Sequence, residues 1–508
     1  MAASVLVMAL AAAALLRFRP GDEGSALHKV AKNSLFPMAT SFLNKFLDLG
    51  FAVYMFRVLG PEGVGAYALA QVVLGYLDIV ANFGLGTLLT REVAKDRLSV
   101  NRFLGNTLAV RVGLWLLCLP FLALLIGPGA GLMGITPEVA LAIVLLVAGL
   151  LPSLVAGTVS ALFQAYERFE YPAIVTVLTN ILKIGLGVVA LSSGWGFVGL
   201  AGVSVVVNLI TVGMLFALML ALLVRPRWEY NAGFSWKLLG VSYPLMLNNL
   251  LNSVFYRVDS LMLTPMAGSN ALGFYSTAYK FIDGLGIISS TFTMALFPLL
   301  SQYAHGARNS LARAYGLAIK LLVMASLPIC VGTTLIAPQI ILLFAGEQYL
   351  PHSAVALQIL IWFLPFSFVN GVTQYLLIAI NQQRFITLSF VVAALFNVGA
   401  NLLLIPALGY VGAALTTVAS ELVLMVPFWY CVRRHVPPIP VLSLAWRPVV
   451  ASAAMGLEVW LLQDWNLIAA IVLAVPIYGA GLLALGSFDK SERAMIGSML
   501  PRRLRTTS

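Results

Sequence analysis

The chain has 508 residues, of which 61% are hydrophobic and only 10% charged, with a net charge of +11 and a mean hydropathy of +0.97. An ordinary soluble domain carries roughly 25% charged residues, so a water-soluble core-and-surface arrangement is excluded and the sequence reads as a polytopic membrane protein. Ten-residue segments of strand-like alternation are absent, which argues against a β-barrel.

The opening stretch, MAASVLVMALAAAALLRFRP, has no basic start and an apolar run too short to span. Residues 1–29 read as a cytoplasmic extension outside the fold, or as the product of an upstream start codon. Apolar windows of about 20 residues, the length that crosses roughly 30 Å of hydrocarbon, then recur at 33–57, 64–90, 103–127, 139–163, 173–193, 197–224, 237–263, 271–299, 310–335, 353–380, 386–405, 411–431, 447–463 and 466–486. The expected fold is an all-α polytopic membrane protein of 14 transmembrane helices. An N-lobe of six spans 30–224, a linker occupies 225–236, and a C-lobe of six spans 237–434. A helix pair at 435–488 and a basic cytoplasmic tail at 489–508 complete the chain.

Two internal matches support the two lobes. VGAYALA at 64–70 returns as LGFYSTA at 272–278, an offset of 208, and GFVGLAG at 196–202 returns as GYVGAAL at 409–415, an offset of 213. AYERF at 165–169 corresponds loosely to NQQRF at 381–385. Six is even, so both repeats keep the same membrane orientation. They are then related by a pseudo-two-fold axis along the membrane normal, with the substrate site between them.

All but seven of the 30 Lys and Arg fall in the extension, the tail or alternate loops such as 91–102. That asymmetry is the positive-inside pattern and places both termini in the cytoplasm. The basic excess therefore reports topology, and nucleic acid is not expected as a partner. Cys118, Cys330 and Cys431 have no CxxC spacing and the four His are scattered, so neither a disulfide framework nor a metal site is expected. There is no G-x-x-x-x-G-K-[ST], HExxH or GxSxG, and no loop is long enough for a soluble catalytic domain. The expectation is a non-enzyme without a cofactor.

The seven remaining cations are Lys45, Arg57, Arg111, Lys183, Arg257, Lys280 and Lys320. Arg57 and Arg111 read as near span ends, able to snorkel to water. Lys45, Lys183, Arg257, Lys280 and Lys320 lie deeper, where each costs about 2.5–3.5 kcal/mol on insertion scales. Asp48, Asp78, Asp259, Asp283 and Glu421 lie at comparable depth, as ion-coupling groups or helix locks. Lys45 with Asp48, and Lys280 with Asp283, are three apart and read as same-face struts or as separate cavity groups. In SVFYRVDSLML (253–263), Arg257 and Asp259 are two apart and project to opposite sides of a helix. Asp259 reads as a lock to a neighbouring helix and Arg257 as the cation that faces a cavity. Asn248, Asn249 and Asn252, just before, read either as sugar-binding groups or as helix–helix glue.

FRVLGPEGVGAYALAQ (56–71), GLGTLLTREVAK (84–95), FYRVDSLML (255–263) and GFYSTAYK (273–280) resemble segments of the prokaryotic polysaccharide-exporter family. That family lies within the multidrug/oligosaccharidyl-lipid/polysaccharide flippase superfamily, and the resemblance covers about residues 30–435. It implies a flippase that carries a lipid-linked oligosaccharide from the inner to the outer leaflet of the cytoplasmic membrane by alternating access. The implied partners are a polyprenyl phosphate or pyrophosphate carrier, membrane lipids, and a glycan polymerase or glycosyltransferases. The alternatives are a peptidoglycan-precursor flippase and a multidrug or cation exporter, the latter disfavoured by five deep cations. A membrane glycosyltransferase or polymerase is disfavoured by the lack of a large outer loop.

Overall fold

The computed structural model describes residues 24–487 apart from His305, Ala307, Pro440 and residues 463–466, with side chains from residue 40 onward except those of 441 and 442. The 1–23 part of the N-terminal extension and the basic tail lie outside the described residues. The helices are α1 (Gly24–Asn82), α2 (Leu85–Lys95), α3 (Val100–Ile126), α4 (Pro137–Ala165), α5 (Glu170–Ser192), α6 (Gly196–Leu222), α7 (Ala232–Ala267), α8 (Ser269–Ala304), α9 (Arg308–Phe344), α10 (His352–Leu360), α11 (Phe363–Ala379), α12 (Gln383–Leu408), α13 (Tyr410–His435), α14 (Val441–Leu462) and α15 (Leu467–Ala484).

Eleven segments are long and apolar enough to cross a membrane on length and composition alone. One of them, Thr40–Lys95, holds two crossings, because α1 breaks at Gly60 (φ 66°, ψ 177°) ahead of Pro61. The two that fall below that apolarity are α14 and α7, whose run is interrupted by Asn248, Asn249, Asn252, Arg257 and Asp259. With α10 and α11 sharing one crossing, the described helices make 14 passes. Six form an N-lobe (α1, α3–α6), six a C-lobe (α7–α13), and α14 and α15 pack together against α9.

The repeat offsets have a backbone cause. Gly60 and Gly268, 208 apart, hold the same conformation (φ 66° and 86°), and each starts a helix that opens the inter-lobe contact. Gly196 and Gly409, 213 apart, have φ of 58° and 57° at the turns α5–α6 and α12–α13. A side chain is strained at such angles and glycine is not. The packing repeats too. α4 and α5 each pack on α6 as α11 and α12 pack on α13, and α1 packs on α5 as α7 packs on α12.

Several elements differ from the sequence reading. The span expected at 64–90 ends at Asn82. Phe83 and Gly84 take positive φ (51° and 72°), and α2 follows as a separate helix that buries Leu85, Leu88, Leu89 and Val93. The span at 353–380 is broken at 361–362, where the released Ile361 carbonyl accepts from Cys330 Sγ at 3.1 Å. At membrane depth a freed carbonyl needs such a partner. α7 begins at Ala232, inside the segment read as linker, where the Asn231 side chain caps it by accepting from Phe234 N–H at 2.9 Å.

Arg111 does not snorkel. It sits in the middle of α3, 2% exposed, and donates to Leu154 O, Thr158 Oγ1 and Asn82 Oδ1 at 2.8, 2.5 and 2.5 Å. The helix runs on to Ile126, too far for the head to reach water. Arg57 is exposed at the bend of α1, and its guanidinium donates to Leu343 O at 2.6 Å.

Candidate functional site

Between the lobes α1, α5, α7 and α8 enclose a cavity of about 550 Å³. Its charged lining is Asp48 from α1, Lys183 from α5, Arg257 from α7, and Lys280 and Asp283 from α8. Three cations against two carboxylates leave it with net positive charge. Ser253 and Ser260 share a helix face with Arg257, so one stripe of α7 is polar while its opposite face enters the C-lobe.

Arg257 Nη2 lies 3.1 Å from Asp283 Oδ2, and both side chains remain partly exposed, 46% and 42%. The guanidinium also sits 5.1 Å from the centroid of the Tyr279 ring, an attraction that strengthens where water is excluded. Lys45 Nζ donates to the Asp283 backbone carbonyl at 3.2 Å, across the lobe boundary. Lys183 and Lys280 line the cavity with no ion pair among the described residues.

The same-face struts are absent. Neither Lys45–Asp48 nor Lys280–Asp283 forms an ion pair; Asp283 instead takes the guanidinium of the preceding helix. Spacing put these groups on one face, but the shorter reach was across the cavity, and a guanidinium presents several donors to a carboxylate at once.

Asp259 points the other way and is 1% exposed. Its Oδ1 accepts from the Ser260 N–H at 2.6 Å, and its Oδ2 accepts from the Tyr275 hydroxyl and from Thr417 Oγ1, the latter at 2.9 Å. One carboxylate thus ties α7 to α8 and α13. Glu421, fully buried on α13, accepts from Asn370 Nδ2 of α11 at 2.6 Å. Neither acid lines the inter-lobe cavity.

The remaining residues are spread out. Lys320 is buried on α9, outside the cavity lining. Asp78 lines a smaller cavity inside the N-lobe. Asn248 and Asn249 are exposed, and Asn252 donates to the Asn248 carbonyl of its own helix at 2.8 Å; none of the three lines the cavity. Asn249 nevertheless shares the helix face of Ser253 and Arg257, one turn further toward the α2 end.

Sequence reasoning missed Tyr67, Gln71, Tyr279 and the two serines. Stepping by four and three residues from Arg257 would have reached Ser253 and Ser260. Tyr279 falls within GFYSTAYK, but nothing in that segment marked it as a cavity residue, a place it owes to the crossing of α8 over α7.

A second, apolar groove of about 590 Å³ lies where α8 and α9 meet α14, α15 and the first half of α1, with Phe42, Ile288, Phe292, Met455 and Val475 on its walls.

Comparison with known proteins places this geometry in a family. Residues 30–304 match the polysaccharide biosynthesis protein family, and residues 244–422 match the MatE family. The probable flippase AglR of Haloferax volcanii is 21% identical over 479 residues, covering 90% of this chain and 96% of that protein. The putative O-antigen transporter of Shigella flexneri is 24% identical over 359 residues, 65% of this chain and 80% of that one. Among solved structures, the lipid II flippase MurJ in an inward closed conformation superposes with a TM-score of 0.76 at 14% identity, over 91% of this chain and 100% of that chain.

Proposed function

The chain belongs to the polysaccharide biosynthesis protein family, and from that premise we propose that it is a flippase for a lipid-linked oligosaccharide, working by alternating access between its two lobes. The observation that carries the reading is the cationic inter-lobe cavity with Arg257, Lys183 and Lys280 on its wall. A lipid-linked oligosaccharide carries phosphate between lipid and sugar, and that anion cannot cross hydrocarbon alone. Arg257 offers an always-charged fork suited to phosphate oxygens, with Lys183 and Lys280 as point charges. Asp283 holds the guanidinium while the cavity is empty, and an arriving phosphate competes for the same donors.

The apolar groove against α14 and α15 suits the prenyl chain, which stays in hydrocarbon while the head moves through the cavity. A multidrug-exporter reading is disfavoured, since a cationic substrate would meet net positive charge. The basic asymmetry of the loops supports both termini in the cytoplasm and a place in the cytoplasmic membrane. A potential negative inside then favours outward movement of an anion by about 2.3 kcal/mol per charge per 100 mV, so no nucleotide is required.

The test is surface glycan per unit of membrane-embedded protein, in a strain lacking its own flippase for that glycan. Arg257→Lys keeps the charge and loses the fork, and retains part of the export. Arg257→Ala nearly abolishes export while inserting normally. Wild-type export by well-inserted Arg257→Ala would refute the anion-handling role.

A further inference from the structure

We propose that the smaller cavity in the N-lobe is a subsite for the first sugar of the substrate, a reading that rests on the inter-lobe cavity holding the carrier's phosphate. This cavity, of about 340 Å³, lies among α1, α4, α5 and α6 and shares Gln71, Gly75 and Lys183 with the cationic one. Its volume is at the small end of ligand pockets, roughly 300–1,000 Å³, which suits one hexose-sized group. A group in it stands next to whatever occupies the larger cavity. That is where a sugar bonded to a phosphate at Arg257 would lie.

The polar wall consists of Gln71, Asp78, Ser153, Lys183, Ser204 and Asn208. Several of their donors are already used. Gln71 Nε2 donates to the Tyr67 hydroxyl at 2.7 Å, Asn208 Nδ2 to Gly149 O at 3.0 Å and Ser204 Oγ to Leu200 O at 3.0 Å. Each amide keeps a second N–H and its carbonyl oxygen, and Ser153, Lys183 and the Asp78 carboxylate add a hydroxyl, an ammonium and two acceptor oxygens, so donors and acceptors are mixed on this wall. Asp78 has no hydrogen-bond donor among the described residues. Arg111 is within electrostatic range of it, but the Arg111 guanidinium donates to Leu154 O, Thr158 Oγ1 and Asn82 Oδ1.

A wall of mixed donors and acceptors calls for a neutral ligand with many hydroxyls, each able both to donate and to accept. Asp78 and Lys183 balance on this wall, so neither a second phosphate nor a metal cation meets a net opposite charge there. Leu146, Leu150 and Val207 give the cavity an apolar side against which the C–H face of a sugar ring packs.

The experiment measures affinities of the purified full-length protein for farnesyl pyrophosphate and for farnesyl-pyrophosphoryl glucose, galactose and N-acetylglucosamine. The tightest glycosylated probe binds about tenfold more tightly than the bare pyrophosphate, the worth of one or two hydrogen bonds to a charged or amide acceptor. In Asp78→Asn and in Gln71→Leu that ratio falls toward one. In Arg257→Ala both probes weaken together and the ratio survives. A ratio intact in both subsite variants, or no preference for any glycosylated probe, overturns the sugar subsite. So does a sodium-dependent rise in melting temperature that Asp78→Asn abolishes, which makes the cavity a cation site. Failure of the wild-type protein to bind bare farnesyl pyrophosphate strikes the reading of the larger cavity instead, and removes the premise with it.

Discussion

Closure of the lobes at the end that carries the α1 bend depends on two glycines, and replacing either with alanine should open it. A Cβ on Gly65 would stand 1.9 Å from Ser269 O, and a Cβ on Gly273 would stand 1.9 Å from Pro61 O. Both obstacles are backbone, so no side chain can swing aside. Ordinary contact begins at 3.4 Å, and the two helices must therefore retreat by about 1.5 Å. The same retreat strains the bonds that bridge the lobes nearby: Tyr349 OH to Phe56 O at 3.0 Å, Gln348 Nε2 to Phe56 O at 3.3 Å and Arg57 Nη2 to Leu343 O at 2.6 Å. Overpacking costs about 1–3 kcal/mol and each weakened bond about 0.5–1.5 kcal/mol. A combined penalty of about 2 kcal/mol or more on this closed state shifts the equilibrium about 30-fold toward opening at this end.

The assay is the rate at which a membrane-impermeant maleimide labels Ser276→Cys, a cavity position on α8, after replacement of Cys118, Cys330 and Cys431. With Gly65→Ala or Gly273→Ala the label enters faster from the outer face of intact cells and more slowly through inverted vesicles. Unchanged labelling on both faces, in protein of normal yield, would refute the claim that the backbone contact holds this end shut.

Three further outcomes follow from the same geometry. Asp259→Asn weakens an acceptor shared by donors from α7, α8 and α13 and should cost about 1.5–3 kcal/mol, read as a lower melting temperature and folded yield. Asn106, fully buried, donates to Glu229 O at 2.9 Å and accepts from the Asn231 N–H and Ser235 Oγ, both at 2.9 Å. Asn106→Leu should free the inter-lobe linker, so that trypsin cuts after Arg227 in folded protein; resistance equal to wild type would count against the strap. A cysteine at Ser99, in the basic loop after α2, should react with impermeant maleimide only in inverted vesicles, and labelling in intact cells would reverse the orientation.

The two-lobe fold was legible because its repeats sit where the backbone is most constrained. GPEGVG at 60–65 and GSNALG at 268–273 share their first and last glycines. Those are the positions where φ turns positive and where the two helices touch. Composition alone then supplied the number of crossings. The short breaks were not legible. Phe83 and Gly84 follow a single polar residue, Asn82, in an otherwise apolar window, and the interruption at 361–362 sits in an unbroken apolar run, so hydropathy carries through both.

The site divides along the same physical line. That Arg257 and Asp259 serve different neighbours followed from helical geometry alone, since residues two apart cannot share a face. Which neighbours they serve did not, because the partners Asp283, Tyr275 and Thr417 come from other helices, at separations of 16 to 158 residues. The spacing of three that drew Lys280 toward Asp283 is a statement about one helix in isolation. Once α8 crosses α7, Asp283 meets a guanidinium with a better fit, and Lys280 is left on the cavity wall. A strut that forms within one helix would have been charge kept for stability. The ion pair that does form lies across an open cavity and holds its charges half in solvent, which leaves its donors within reach of a competing anion. Under the proposed function Asp283 holds Arg257 ready for exchange with a phosphate, and transport is then what repays the insertion cost of a cation at that depth.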